Sequence, residues 1–382
     1  MRRLIERAAV LAGLTLIVAL PGAAEMPSGT ISAFNQAVQS GDPATIVTAA
    51  KQMGATAVAH PEDPQAPVAA FEAANQLCLR GACADAVLIT GYLSGLEDGL
   101  PVSRAEVDVL NAFANWSASA KDEAADQAFS KVLEAQVDSD ASMLTLAAYE
   151  YFCAALIGSD DWDDLRERAS LATAHMKPVR DAVPYRWATL ASLSASSLFN
   201  EERSTEALQK MADIKTWLYQ KRIGEKGKDL DKIYYNTSAW QNAMMAYFRS
   251  VGGRDKKMAR KIDEAAATQI EEINQSSEAE AVPSDGPSLC EGHVVSPPRP
   301  VYPRKAARKG YVGAVLVGFS FDDDGKPANF RILASVPDGQ FEQASLDGMQ
   351  SFKWEWEPEQ ENSDCTKSKE EAGVYPFEYV LR

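Results

Sequence analysis

The sequence predicts an α+β multidomain protein: an N-terminal all-α helical-hairpin array, followed by a small α+β domain with an antiparallel sheet and one packed helix. Three observations predict it. Across residues 30–273 the apolar residues recur at three- and four-residue spacing, as at Leu165, Ala169, Ala172 and Met176, the periodicity of an amphipathic helix. Residues 274–298 change character, with Ser276, Ser277, Pro283, Ser284, Gly286, Pro287, Ser288, Pro297 and Pro298 crowding into a linker composition. From Val312 onward apolar residues alternate along the chain, the strand periodicity. The expected organisation is an export signal over 1–24, a helical repeat-like domain over 25–273, a linker over 274–298 and the small domain over 299–382.

The N-terminus carries Arg2, Arg3 and Arg7, then an apolar run from Ala8 to Leu20 broken by Pro21 and Gly22. Gly22 and Ala24 supply the small residues that a cut after Ala24 requires, so the segment has the layout of a secretory signal. A spanning helix needs about 20 apolar residues, and this run is shorter. A retained inner-membrane anchor is the alternative. The residue at the mature N-terminus separates them: Glu25 for a cleaved, exported protein, Met1 for an anchored one. Hydrophobic content of 46% and charged content of 24% suit a globular chain, and the net charge of −16 argues against a nucleic-acid or anionic-membrane surface.

Within the helical region, breaks fall at Gly41-Asp42, Gly81, Lys121-Asp122, Ser159-Asp160 and Asn200-Glu201, about 40 residues apart. Small residues near the turns let paired helices approach, and stacking buries apolar faces that a single hairpin leaves open. The region weakly resembles tetratricopeptide-type repeats, with a longer period and without that family's Trp/Gly/Tyr pattern. An irregular helical bundle is the alternative. Beyond Gln220 the regularity fails. Lys221–Lys232 reads as a loop, Ser238–Phe248 as a helix, Gly252-Gly253 as a break and Lys256–Ile273 as a polar helix.

In the C-terminal part, Val315, Val317, Phe319 and Phe321 form the bulkier face of a first strand, whose other face (Ala314, Leu316) is also largely apolar. Asp322-Asp323-Asp324-Gly325-Lys326 is a turn. A calcium loop is a poor reading of it, because the ligand spacing of an EF-hand is missing. A second strand is expected over Asn329–Ser335, a helix over Phe341–Lys353 closed by Trp354, Trp356 and Pro358, a solvated acidic loop over Glu359–Glu371 and a third strand over Gly373–Leu381.

These elements, with Pro300-Val301-Tyr302-Pro303, Ala306, Gly310, Gly313, Val315, Val317, Phe319, Gly325, Ser335, Pro337, Phe341, Ala344, Trp354 and Pro358 in order, resemble the TonB C-terminal domain family. The resemblance implies a periplasmic module that recruits a peptide segment of TonB-dependent outer-membrane receptors by strand pairing. The expected edge residues are Val374, Tyr375, Phe377, Glu378, Tyr379 and Val380. The sequence departs from the energy-transducing members of that family in three ways. Its N-terminal segment is short, that segment has no histidine, and a helical domain stands in place of a Pro-rich spacer. The leading expectation is a periplasmic adaptor that binds protein partners. The alternative is an anchored energy transducer.

Other chemistry is sparse. The basic cluster Arg299, Arg304, Lys305, Arg308 and Lys309 contains no acid. It reads as a solvated face, or as a contact for carboxylate-bearing partners or cell-wall polymer. The five cysteines include no CxxC pair and the three histidines lie far apart, so no zinc or other metal site is expected. Export permits disulfides, and the expected bridges are Cys290–Cys365, tying the entry of the small domain to its last strand, and, second, Cys78–Cys83. Cys153, in an apolar run, is expected to be a buried, inert thiol. No phosphate loop, nucleophile–base grouping or cofactor motif occurs, so neither catalysis nor a cofactor is expected.

Overall fold

A computed structural model of the chain describes residues 25–119, 122–137, 140–157, 159, 161–200, 203–224, 228–280, 288–357, 365–367 and 369–381. The expected signal segment, 1–24, lies outside the described residues. The chain divides into two compact units, Met1–Leu190 and Ala191–Arg382.

Unit 1 is helical: α1 (Ser28–Ser40), α2 (Pro43–Ala59), α3 (Ala66–Leu79), α4 (Val87–Ser94), α5 (Arg104–Ala118), α6 (Glu123–Glu134), α7 (Met143–Ala154), α8 (Trp162–Met176) and the start of α9 (Pro184–Asn200). Each interval between the expected breaks holds two helices: α2 and α3, α4 and α5, α6 and α7, α8 and α9. The break residues act as stop and start signals. Gly41 closes α1 with φ 71°, and Asp42 accepts the Thr45 N–H at 2.8 Å to cap α2, with Pro43 at its first position. Asp122 and Asp161 cap α6 and α8 in the same way. Phe113, Phe129 and Phe152 form a buried aromatic cluster, the first two stacked with centroids 5.5 Å apart and the last two edge-to-face at 4.9 Å. Beside it Arg168 lies 3.6 Å over the Phe152 ring and pairs with Asp126 and Asp164, so its charge is compensated inside the unit. Cys153 is buried and unbridged, and burial pushes its thiol up to about 12, far from the thiolate needed for reactivity. The sulfurs of Cys78 and Cys83 are bonded across the turn at Gly81.

Unit 2 contains the end of α9, then α10 (Ser204–Gly224), α11 (Lys228–Val251), α12 (Gly253–Glu280) and the short α13 (Arg304–Arg308). Its remaining helix is α14 (Glu342–Met349), and its strands are β1 (Ser288–Leu289), β2 (Gly292–Ser296), β3 (Gly313–Phe321), β4 (Pro327–Val336), β5 (Lys353–Trp356), β6 (Cys365–Thr366) and β7 (Lys369–Tyr379). The main sheet has the order β4–β3–β7 and is antiparallel throughout, β2 pairs antiparallel with β5, and β1 pairs parallel with β6. Every residue of β3 is buried. Val315, Val317, Phe319 and Phe321 join Phe341, Met349, Phe352, Phe377 and Tyr379 in one core. On the opposite face, Leu316 and Ala334 pack against Ala239 and Tyr235 of α11. Gly313 is forced by proximity: a Cβ there would sit 2.2 Å from the Val336 carbonyl oxygen and 2.7 Å from the Phe341 ring.

Several boundaries differ from expectation. The loop expected over Lys221–Lys232 is shorter, because helix continues to Gly224 and resumes at Lys228. The helix expected over Ser238–Phe248 is the whole of α11, and the polar helix runs on to Glu280 after a break at Gly252, φ 71°. The linker expected over 274–298 is therefore helical at its start, and near its end it contains β1 and β2. The helix expected to reach Lys353 stops at Met349, since Lys353-Trp354-Glu355-Trp356 pairs with β2 as a strand. The acidic stretch expected as a loop holds β6 and the start of β7, with 358–364 outside the described residues. The third strand begins earlier and ends at Tyr379, which leaves Val380 just beyond it. The helices over 191–273 fall in the same compact unit as the sheet.

Cys290 and Cys365 are bonded, with Cα atoms 4.9 Å apart, where β1 meets β6. The bridge links positions 75 residues apart, and in the chain-entropy model its loss costs about 4 kcal/mol. A Cys290→Ser, Cys365→Ser double variant is expected to unfold at markedly lower denaturant than the oxidised parent, and the difference is expected to close when both proteins are measured under reducing conditions, which also open Cys78–Cys83 in each. Phe341 is fully buried and stacks 4.2 Å from Tyr379. Truncating it to alanine is expected to cost about 3–5 kcal/mol by denaturant titration.

Candidate binding edge

β7 pairs with β3 along one side, in unbroken register from Gly313↔Tyr379 to Phe319↔Gly373. Among the described residues no strand pairs with its other side. β4 is the opposite edge, and it is blunted by two register irregularities against β3 and by Asn329 at φ 52°. The straighter free edge is thus β7.

Pro376 fixes which main-chain groups face outward. It stands opposite Leu316 and has no N–H, so it leaves the ladder whole only if its nitrogen points away from β3. Residues two apart on a strand share that direction, so the N–H and C=O of Val374 and Glu378 point to the free side with the Pro376 carbonyl. Tyr375, Phe377 and Tyr379 spend their main-chain groups on β3 and their rings on the core. Phe377 and Tyr379 are buried, Tyr375 packs on Phe352 at 5.6 Å, and Tyr379 shares a hydrogen bond with Ser345 at 2.8 Å. Burial pushes the Tyr379 phenol up to about 12. The other set behaves differently. Val374 is 39% exposed, whereas Glu378 turns toward α11 and forms an ion pair with Arg249. Nearby, the Leu381 N–H donates to Ser250 Oγ at 3.2 Å, so two residues of α11 hold the end of β7. Burial raises the Glu378 pKa, Arg249 opposes that rise, and Asp263 adds to it.

The basic residues Arg299, Arg304, Lys305, Arg308 and Lys309 are all exposed, the last four in or just after α13. No carboxylate among the described residues pairs with them, and the Lys309 ammonium lies 5.4 Å over the Tyr311 ring. Their segment meets the edge through Tyr302, whose ring contacts Phe341 at 5.7 Å and Tyr379 at 5.6 Å. Among the described residues no group of three or more His, Cys, Asp or Glu is placed to hold a metal ion, and no helix is long and apolar enough to cross a membrane. The hold of α11 on β7 was not anticipated from sequence. The signals for it are the small and aromatic residues Tyr235, Ala239 and Ala243 at four-residue spacing, together with the second apolar face of β3.

Removing Arg249 takes away the cation that opposes desolvation of Glu378. Because the folded-state pKa of Glu378 is raised, its ionised form disfavours folding as pH rises through that pKa, and protonation relieves the cost below it. Arg249→Ala is therefore expected to lose about 1–2 kcal/mol near neutral pH, a figure discounted for the exposure of Arg249. The deficit should shrink as pH falls through the carboxylate range, as followed by denaturant titration at several pH values.

Residues 298–381 match the family model for the C-terminal domain of the Gram-negative bacterial TonB protein. No curated protein and no solved structure matched the chain.

Proposed function

We propose that this TonB-like domain captures an extended segment of a partner protein by adding it as a fourth strand along β7, and that the chain acts as a periplasmic adaptor. Domains of this family are envelope-associated modules that mediate protein–protein interactions without catalysis. The observation that carries the reading is the unpaired outer side of β7 between Val374 and Glu378, at the opposite edge of the sheet from a blunted β4. Main-chain groups there supply affinity, and side chains flanking the edge supply selectivity. The partner class favoured by the resemblance is the periplasm-facing segment of TonB-dependent outer-membrane receptors.

A membrane-anchored energy transducer shares this edge and differs in retaining residues 1–24. The N-terminal residue of the isolated protein separates the two.

The test is binding of synthetic periplasmic segments of such receptors, measured by calorimetry. Val374→Pro removes an outward donor and leaves the β3 ladder intact, so it is expected to weaken binding at least about tenfold, the loss of one to two main-chain hydrogen bonds. Val374→Ala keeps the donor and is expected to bind nearly as the parent does. Glu378→Pro, compared with Glu378→Ala, repeats the test four residues along the same edge, beyond Pro376, while cancelling the lost ion pair. If both proline variants fold by circular dichroism and bind fully, β7 is not the edge in use.

A further inference from the structure

Unit 1 contains a buried carboxylate with no counter-charge. Asp63, 7% exposed, sits in the turn between α2 and α3. Its Oδ1 accepts the Gln65 N–H at 2.8 Å, and its Oδ2 accepts the N–H of Met26 at 2.6 Å, from a residue that is itself 4% exposed. No lysine, arginine or histidine among the described residues pairs with it. A carboxylate offers about four acceptor positions, and two are filled. A buried charge held only by neutral donors is costly, and proteins ordinarily pair it. The Tyr92 hydroxyl is also buried without a partner, and the charges of Asp63 and Glu62 add to the burial that raises its pKa, which places an unused phenol oxygen in the field of the same carboxylate.

The missing cation has a natural source one residue away. Met26 follows Glu25, and Glu25 follows Ala24, where the leader sequence has its small-residue cleavage pattern. While the Ala24–Glu25 peptide bond is intact, the Glu25 nitrogen is a neutral amide. A processing peptidase that hydrolyses this bond adds the hydroxyl of water to the Ala24 carbonyl carbon and a proton to the Glu25 nitrogen. At neutral pH that nitrogen takes up a further proton from solvent, since an α-amine has a pKa of about 8. Consecutive Cα atoms are about 3.8 Å apart, so this ammonium is created within one peptide unit of the amide already bonded to Asp63.

We propose that Asp63 is a receptor site for the processed N-terminus: cleavage after Ala24 creates an α-ammonium on Glu25 that pairs with the buried Asp63 carboxylate and fastens the start of the chain to the α2–α3 turn. The unprocessed chain, or one trimmed elsewhere, lacks this ion pair, so unit 1 reaches its full stability only after export.

Three forms of the full chain from Glu25 onward test this: one with a free α-amine, one Nα-acetylated, and one with Ala24 retained in front. The free-amine form is expected to melt about 2–4 °C above the other two, as scaled for a unit of this size, and Asp63→Asn is expected to erase the difference. Equal melting of all three forms, or a difference that survives in Asp63→Asn, overturns the proposal and leaves Asp63 as an acceptor for main-chain amides only. Should the asparagine variant fail to fold, the acetylated and free forms still decide the matter without any substitution. Mass spectrometry of the protein recovered after export is expected to find Glu25 first, and any other first residue is a second route to rejection.

Discussion

The constraint on which unit 2 depends is that a three-stranded sheet with an apolar residue at nearly every position of its central strand must be covered on both faces. β3 is buried at all nine positions. One face is covered by α14 and by an aromatic layer that includes Phe341, Phe352, Trp354 and Trp356. The other is covered by α11, through Tyr235 and Ala239. Small residues of α11 bring its backbone close to the sheet, as a flat apolar surface of Leu316 and Ala334 requires. With both faces occupied, the open hydrogen-bonding positions of β7 are along its outer side. The edge itself follows from the strand order, in which β7 is terminal.

The same constraint accounts for the placement of the polar groups. Glu378 lies on the face toward α11, so it must be desolvated, and Arg249 accompanies it. Ser250 takes the Leu381 N–H, a group that has left the ladder and would otherwise lack a protein partner. On the aromatic side, Tyr379 is buried with its hydroxyl bonded to Ser345. The end of β7 is therefore held from both faces, whereas Val374, lower on the strand, stays partly exposed.

Much of this was legible in the sequence because it is written in local periodicity. The strands β3, β4 and β7, the turn at Gly325 and the helix opening near Phe341 follow from alternation, from glycine tolerance of positive φ and from three-residue apolar stepping. The hairpin spacing of unit 1 follows from capping residues such as Asp42 and Asp122, which act within a few bonds of the chain. What was missed is non-local. Lys353-Trp354-Glu355-Trp356 alternates as a strand does, but four residues next to a helix do not reveal a partner, and that partner, Gly292–Ser296, sits inside a Pro- and Ser-rich composition that reads as linker. The pattern of α11 announces an amphipathic helix but cannot say whether its apolar face meets another helix or a sheet. That information was present only in the second face of β3, where Ala314 and Leu316 are apolar although a one-sided sheet would leave them polar.

The division of labour has a consequence for selectivity. In a sheet whose faces are filled, the side chains of β7 are committed: Phe377 and Tyr379 to the core, Glu378 to α11. Few of them remain to read a partner, and main-chain groups distinguish sequences poorly. Discrimination must then come from what flanks the edge. At the Tyr379 end the flanks are chemically distinct. Tyr302 and the exposed cations that follow it lie on the aromatic side, and the Arg249–Glu378 pair lies on the α11 side. An added strand would alternate its side chains between these two environments, so its residues near that end meet an open cationic surface on one side and an already neutralised pair on the other. Near Val374 neither constraint operates. On the proposed strand addition, a partner segment would be read most strictly where β7 is held, and most loosely where it is exposed.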